Sequence, residues 1–139
     1  MVADLRADSV STLVARLKSL GHDTAVTGLP VLDGTPSDAQ KVVWGEAAKE
    51  ADLVVNATPM GLHPGEPSAL PPACFHPGQF VLDIVPTVTF PPTAAAARAA
   101  GATATDGLDF LVGQGAKSFE LWTGREAPID AMKRALGLD

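Results

Sequence analysis

The chain has 139 residues, 46% hydrophobic and only 5% aromatic, with a formal net charge of −6, so it suits one domain whose core is built from Ala, Val and Leu. An acidic balance without a basic block argues against nucleic-acid partners and anionic membrane surfaces, and there is neither an apolar run of roughly 18 residues to span a bilayer nor the pattern of a secretory signal. The lone Cys74 has no disulfide or CxxC partner, which makes a reducing cytoplasm the expected location and packing the expected role of its thiol.

VADLRADS, residues 2–9, opens with a very short apolar run that ends in Asp4. Val10, Leu13, Val14, Leu17 and Leu20 then recur at spacings of three and four, predicting a helix from Asp8 to Leu20, with Asp8 or Ser9 as its cap and Gly21 as its end. A short strand is expected around Thr24 to Thr27, followed by a turn-rich stretch through Pro36. A second helix is expected from Ser37 or Asp38 to about Glu50, weakened by Gly45. ADLVVNAT is nearly all apolar, as expected of a strand buried on both faces, with Asn56 and Thr58 at its carboxyl end.

Six prolines between Pro59 and Gly78 predict a long loop with one short helical turn, and loops of that length inside compact domains are more often functional than idle. QFVLDIV is the next strand. An alanine-rich helix follows from Thr93 to Ala100 and is closed by Gly101, and ATATDG supplies a weak strand and turn. From Leu108 to Thr123 the sequence is helical in pattern, with Leu111, Phe119 and Trp122 available to a core. A final helix, Pro128 to Leu136, starts with proline in the first turn, where its missing N–H is harmless.

Strands alternating with helices predict an α/β fold with a parallel sheet and right-handed crossovers. Ligands of such sheets collect at the carboxyl ends of strands, which directs attention to Asp4, Asn56 to Gly61, Asp83 to Pro86 and Thr105 to Gly107.

DLVVNATPMGLHPG, FVLDIV and TDGLDFLVGQGAKSFELWTGREAP, in this order and spacing, closely resemble the carboxyl-terminal half of the shikimate and quinate/shikimate dehydrogenase family. The likeness is strong from Asp52 to Leu136 and loose before it. It implies a partial Rossmann-like, doubly wound parallel sheet with C-terminal helices, residues 1–139 being one NAD(P)-binding domain. It also implies hydride transfer between a nicotinamide cofactor, NAD or NADP, and a shikimate-like small molecule.

Placed residue by residue, the resemblance implies that Ile84 and Gly107 contact the nicotinamide end of the cofactor. It puts Asn56, Ala57 and Thr58 along the cofactor cleft, and Gln114 on the substrate hydroxyls. Each has a plainer competitor: an ordinary turn for Gly107, satisfaction of strand-end backbone for Asn56 and Thr58, core packing for Ile84, and a surface amide for Gln114. Asp4 aligns with the start of the segment that binds the adenosine ribose. NADP-using members carry an asparagine, arginine and threonine there, and often a further arginine; Leu5 and Ser9 stand at the two arginine positions, with Arg6 nearby. A carboxylate accepts from both hydroxyls of a free ribose, so Asp4 favours NAD over NADP.

Three departures accompany the likeness. The sequence contains no counterpart of the family's first strand and glycine-rich phosphate turn. It contains no counterpart of the N-terminal substrate domain with its acid–base lysine and aspartate, and Lys41, Lys49 and Lys117 are expected to be surface charges. Pro86 stands where many members have a substrate-contacting tyrosine. The expectation is an isolated chain without turnover, with unpaired strand edges that re-pair, swap between chains or form a homodimer. The rival readings are a non-catalytic Rossmann-like module used in assembly or regulation, and a dehydrogenase acting on quinate or a related polyol.

Overall fold

The computed structural model describes residues 1, 6–20, 28, 38–87 and 89–138, with only the backbone at 38–41. The expected Thr24 to Thr27 strand and the Asp4 segment lie outside the described residues. Helix α1 covers Ala7–Ser19, α2 Asp38–Lys49, α3 Pro92–Ala99, α4 Gly107–Thr123 and α5 Ile129–Ala135. Strands β1 (Leu53–Asn56), β2 (Phe80–Asp83) and β3 (Thr103–Thr105) form a parallel sheet in the order β1-β2-β3. Within the proline-rich stretch the one helical turn is a 3-10 turn at Pro72–Cys74. This is the α/β, partial Rossmann-like arrangement expected.

One face of the sheet is closed by small residues. Val81 is completely buried, and Ala94 and Ala97 of α3 meet it with Ala102, Ala104, Cys74, Phe75 and Ala48. Alanines let α3 approach β2 and β3 closely, so a dense core forms with few aromatic rings. Burial raises the Cys74 thiol above its usual pKa, which keeps it protonated and inert, as its predicted packing role requires.

Two polar side chains fasten helix ends to this sheet. Gln79, buried just before β2, donates from Nε2 to Ala48 O (2.8 Å) and Ala51 O (3.0 Å), satisfying carbonyls at the end of α2. Arg98 donates from Nε (3.0 Å) and Nη2 (2.7 Å) to Ala104 O on β3, with the guanidinium 3.8 Å above the Phe90 ring. At the end of α4, Gly124 takes the left-handed conformation (φ 65°) that lets its N–H bond back to Glu120 O.

Three expectations are corrected. α1 starts one residue earlier than predicted, with Arg6 at the cap position and no side-chain cap bond; Asp8 therefore lies inside the first turn, where it accepts from Ser9 N (2.9 Å). β1 is not buried on both faces: Leu53 is 58% and Val55 49% exposed, and in register beside Leu53 is the exposed Phe80. Alternation places these three on one side of the sheet, while α3 packs on the other. Trp122 does not enter a core; it is 84% exposed, and α4 buries Val112 and Ala116 instead. Lys49 and Lys117 are surface charges, paired along their helices with Glu46 (2.6 Å) and Glu120 (3.4 Å). No helix among the described residues is long and apolar enough to cross a membrane.

This one-sided core sets a measurable asymmetry. Val81→Ala should cost about 2 kcal/mol in denaturant unfolding of this chain, because it opens a cavity under α3. Val55→Ala should cost under about 0.5 kcal/mol. Equal losses would show that the second face is covered.

Candidate functional site

Parallel register brings the carboxyl ends of β1 and β2 side by side, pairing Leu53 with Phe80 and, three residues on, Asn56 with Asp83. Both strands are apolar until their last residue, so the polar side chains gather at one edge of the sheet. Ile84 N continues the ladder by donating to Asn56 O (3.1 Å).

The buried Asn56 amide is fully used. Its Nδ2 donates to Asp83 Oδ1 (3.1 Å) and Met60 O (3.3 Å), and its Oδ1 accepts from Thr58 N (3.2 Å) and Thr58 Oγ1 (2.7 Å). Two donors and two acceptor sites exhaust what a primary amide offers. Thr58 Oγ1 in turn accepts from Met60 N (3.2 Å). Asn56 and Thr58 thus shape the loop by satisfying its backbone, and Ala57 stands exposed between them.

Beyond this turn, Gly61 has φ 96°, and a Cβ there would lie 2.9 Å from ring atoms of Pro92, the first residue of α3. Glu66 Oε2 accepts from Gly61 N (2.9 Å) and His63 N (3.3 Å), and these amides lower the Glu66 pKa below its usual value, the His63 amide most. Ala69 N donates to Thr93 Oγ1 (3.0 Å), tying the same loop to the first turn of α3.

Asp83 opens the Asp83 to Pro86 strand end to which the sequence directs attention, although the sequence gives it no role of its own. Its carboxyl is wholly buried, and Oδ1 accepts from both Asn56 Nδ2 and Val85 N (3.1 Å each). Oδ2 has no hydrogen-bond partner. Burial raises the pKa above its usual 3.8, opposed by the Val85 amide, by Asn56, and by the Thr93 hydroxyl and Ala94 amide at the start of α3. Those two α3 groups lie close enough to favour the charged form, yet neither meets Oδ2 in hydrogen-bonding geometry. The available signal was an acid closing an otherwise apolar strand in QFVLDIV.

The third segment enters at α4. Asp106 caps the helix by accepting from Leu108 N (3.1 Å), and Gly107 is buried behind it. A Cβ on Gly107 would lie 2.4 Å from Ile84 O, 2.5 Å from Ile84 C and 2.6 Å from Val85 C. Glycine is required here by the chain's own Ile84–Val85 backbone, not merely by room for a ring. Ile84 and Gly107 are thereby brought together, and Ile84 is half-buried, as expected of a core residue with an open edge.

Gln114 lies in the middle of α4, exposed, seven residues and therefore about 10 Å along the axis from Gly107 on nearly the same side. The described residues hold no cluster of His, Cys, Asp or Glu suited to a metal ion.

A parallel α/β sheet with polar strand ends gathered at one edge, and a helix entering there through glycine, is a partial Rossmann-like fold, in which ligands collect at the strand ends. Residues 107–136 match the family described as "Shikimate 5'-dehydrogenase C-terminal domain". The chain is 42% identical over 136 residues to the shikimate dehydrogenase (NADP(+)) of Anaeromyxobacter sp. (strain Fw109-5), a match covering 95% of this chain and 47% of that protein. It is 48% identical over 87 residues to the corresponding protein of Moorella thermoacetica, covering 62% of this chain and 30% of that one. Quinate dehydrogenase from Corynebacterium glutamicum, solved in complex with NAD, superposes with a TM-score of 0.78 at 30% identity, covering 99% of this chain and 45% of that one. The chain belongs to the shikimate dehydrogenase family and spans less than half the length of these relatives.

The half-buried Ile84 offers an apolar edge that suits one face of a flat heteroaromatic ring such as a nicotinamide, whereas the space beside the buried Gly107 is filled by the chain's own Ile84–Val85 backbone. Asp4, the expected ribose ligand, lies outside the described residues.

Two outcomes test this geometry. Gly107→Ala should destabilise the protein by about 1–3 kcal/mol and shift the Ile84 and Val85 amide resonances, although alanine is the better helix former. Gly113→Ala, where a Cβ meets nothing within 4 Å, should be neutral or stabilising; equal behaviour of the two variants would contradict the backbone contact. The second concerns Asp83, whose raised pKa makes the folded state hold its proton to higher pH than the unfolded chain. Stability from this group is therefore fully present below pH 3.8 and is lost as pH rises through the folded value. Asp83→Asn cannot ionise, so its thermal midpoint should improve relative to the unsubstituted protein as pH rises from below 4 to neutral. A pH-independent difference would contradict the raised pKa.

Proposed function

We propose that residues 1–139 form the NAD(P)-binding domain of an oxidoreductase that interconverts 3-dehydroshikimate and shikimate. The observation that carries this reading is the meeting of three segments, Asn56–Thr58, Ile84 and Gly107, at one sheet edge in a chain 42% identical over 136 residues to a shikimate dehydrogenase. In this reading Ile84 and Gly107 flank the nicotinamide, the Asn56 to Thr58 turn borders the cleft, and Gln114 hydrogen-bonds the substrate hydroxyls from the exposed side of α4. When bound, the reduced cofactor supplies a hydride from C4 of its nicotinamide to the substrate carbonyl carbon, and a proton completes the hydroxyl. This chain's residues orient the two rings; the acid–base pair belongs to a substrate domain, so the chain alone has no turnover.

Relatives named for NADP(+) and a structural neighbour bound to NAD support a nicotinamide dinucleotide as cofactor. Asp4 favours NAD. The exposed Phe110, Leu121 and Trp122 of α4 offer an apolar surface for the substrate domain or for a second copy of the chain, with strand swapping at the sheet edge as another route to a dimer. A single buried thiol suits the cytoplasm. Quinate as an alternative polyol is favoured by the likeness to a quinate dehydrogenase and by Pro86, which has no hydroxyl to offer a substrate.

The test is steady-state kinetics of the complete polypeptide with shikimate and quinate, alongside titration with NAD and NADP. Gln114→Ala should raise the KM for shikimate roughly tenfold, the loss of one hydrogen bond, with the dinucleotide KM unchanged. Tighter binding of NADP would overturn the Asp4 argument. Binding of neither dinucleotide would overturn the reading and leave a non-catalytic module.

A further inference from the structure

We infer that Asp83 is the positioning residue of the nicotinamide end, joining the three segments of the site through one buried carboxyl. The inference rests on the proposed function only for what the site binds; the geometry stands independently.

Asp83 closes the middle strand of the sheet, and its side chain is fully enclosed. A single oxygen, Oδ1, receives both Asn56 Nδ2 from the end of β1 and Val85 N from the turn after β2, each at 3.1 Å. The first bond belongs to the amide that also holds Thr58 and Met60. The second fixes the peptide plane following Ile84, against which Gly107 packs too closely for any Cβ. Movement of the carboxyl would therefore displace the Asn56–Met60 turn, the Ile84–Val85 backbone and the entry of α4 together. Its other oxygen, Oδ2, is buried without a hydrogen-bond partner beside the start of α3. Burying an unpaired carboxyl oxygen is costly, and an apolar side chain would serve packing alone without that cost. What the carboxyl supplies that an apolar side chain lacks is one acceptor shared by two loops. Asp83 is not a catalytic residue, because it is enclosed and acts through Asn56, Ile84 and Val85.

The experiment compares Asp83→Ala and Asp83→Asn in the complete polypeptide. Asparagine keeps an acceptor at Oδ1, whereas alanine removes it. Asp83→Ala should raise the dinucleotide KM roughly tenfold or more while the KM for shikimate moves less than about threefold, and Asp83→Asn should restore the dinucleotide KM to within about threefold. An unchanged dinucleotide KM in Asp83→Ala, or equal losses for both substrates in both variants, would overturn the positioning role. Should Asp83→Ala fail to fold, Asn56→Ala removes one of the two donors and must show the same split between the two KM values. A second readout needs no ligand: in amide NMR, Asp83→Ala or its substitute should shift Thr58, Ile84, Val85 and Gly107 together, and shifts confined to Val85 would overturn the inference. If the unsubstituted protein binds neither NAD nor NADP, the functional reading fails, and the NMR comparison still decides the role of Asp83.

Discussion

The hydrogen bond from Asn56 to Asp83 joins the ends of two parallel strands inside the protein, and the shape of the site edge follows from it. Neighbouring parallel strands finish level with one another, so two polar residues that close apolar runs meet in the interior rather than in water. A buried amide beside a buried carboxyl is costly wherever their remaining valences go unmet. Asn56 meets all of its own by folding the chain back through Thr58 and Met60. Asp83 meets those of Oδ1 by curling the chain at Val85. The turns after β1 and β2 are thus the means by which the Asn56 amide and one oxygen of Asp83 are satisfied, while Asp83 Oδ2 has no partner.

This arrangement leans on a core that is thin and one-sided. Ala94 and Ala97 bring α3 down onto Val81 and Ala104, which places the start of α3 beside the Asp83 carboxyl and the Gly61 turn. Thr93 holds Ala69 at the same place, so the proline-rich loop is moored to the helix that also shapes the environment of Asp83. The opposite sheet face, with Leu53, Val55 and Phe80, and the outer side of α4, with Leu121 and Trp122, carry apolar groups in solvent. Both surfaces belong to a chain that spans less than half the length of those relatives.

Much of this was legible in the residues. Glycine and proline punctuation located α2 to α5 to within a residue or two, and apolar runs located β1 and β2. The strand-end rule pointed to Asn56, Ile84 and Gly107 before any likeness was considered, and the structure brings these three to one edge. Reading failed where an outcome depended on a layer that local sequence cannot reveal. Leu53, Val55 and Trp122 were assigned to a core because they are apolar, yet burial requires something to pack against. Asp83 lies in a strand end to which the residues point, yet its role is not legible there: a carboxylate after the three apolar residues Phe80 to Leu82 reads as a solvated strand end, and only the register with Asn56 makes it an interior group. At Gly107 the need for glycine comes from the Ile84 carbonyl, a contact distant in sequence that the local pattern does not show.

The proposed function puts a nicotinamide ring at the edge formed by the Asn56 to Thr58 turn, Ile84 and Gly107. The most direct measurement is a residue-resolved NMR titration of the protein with NAD and NADP, compared with the adenosine half of each dinucleotide alone. Only the intact dinucleotides should perturb the amides of Ala57, Thr58, Ile84 and Gly107. The same perturbations with the adenosine half, or none at these positions at saturation, would contradict that placement.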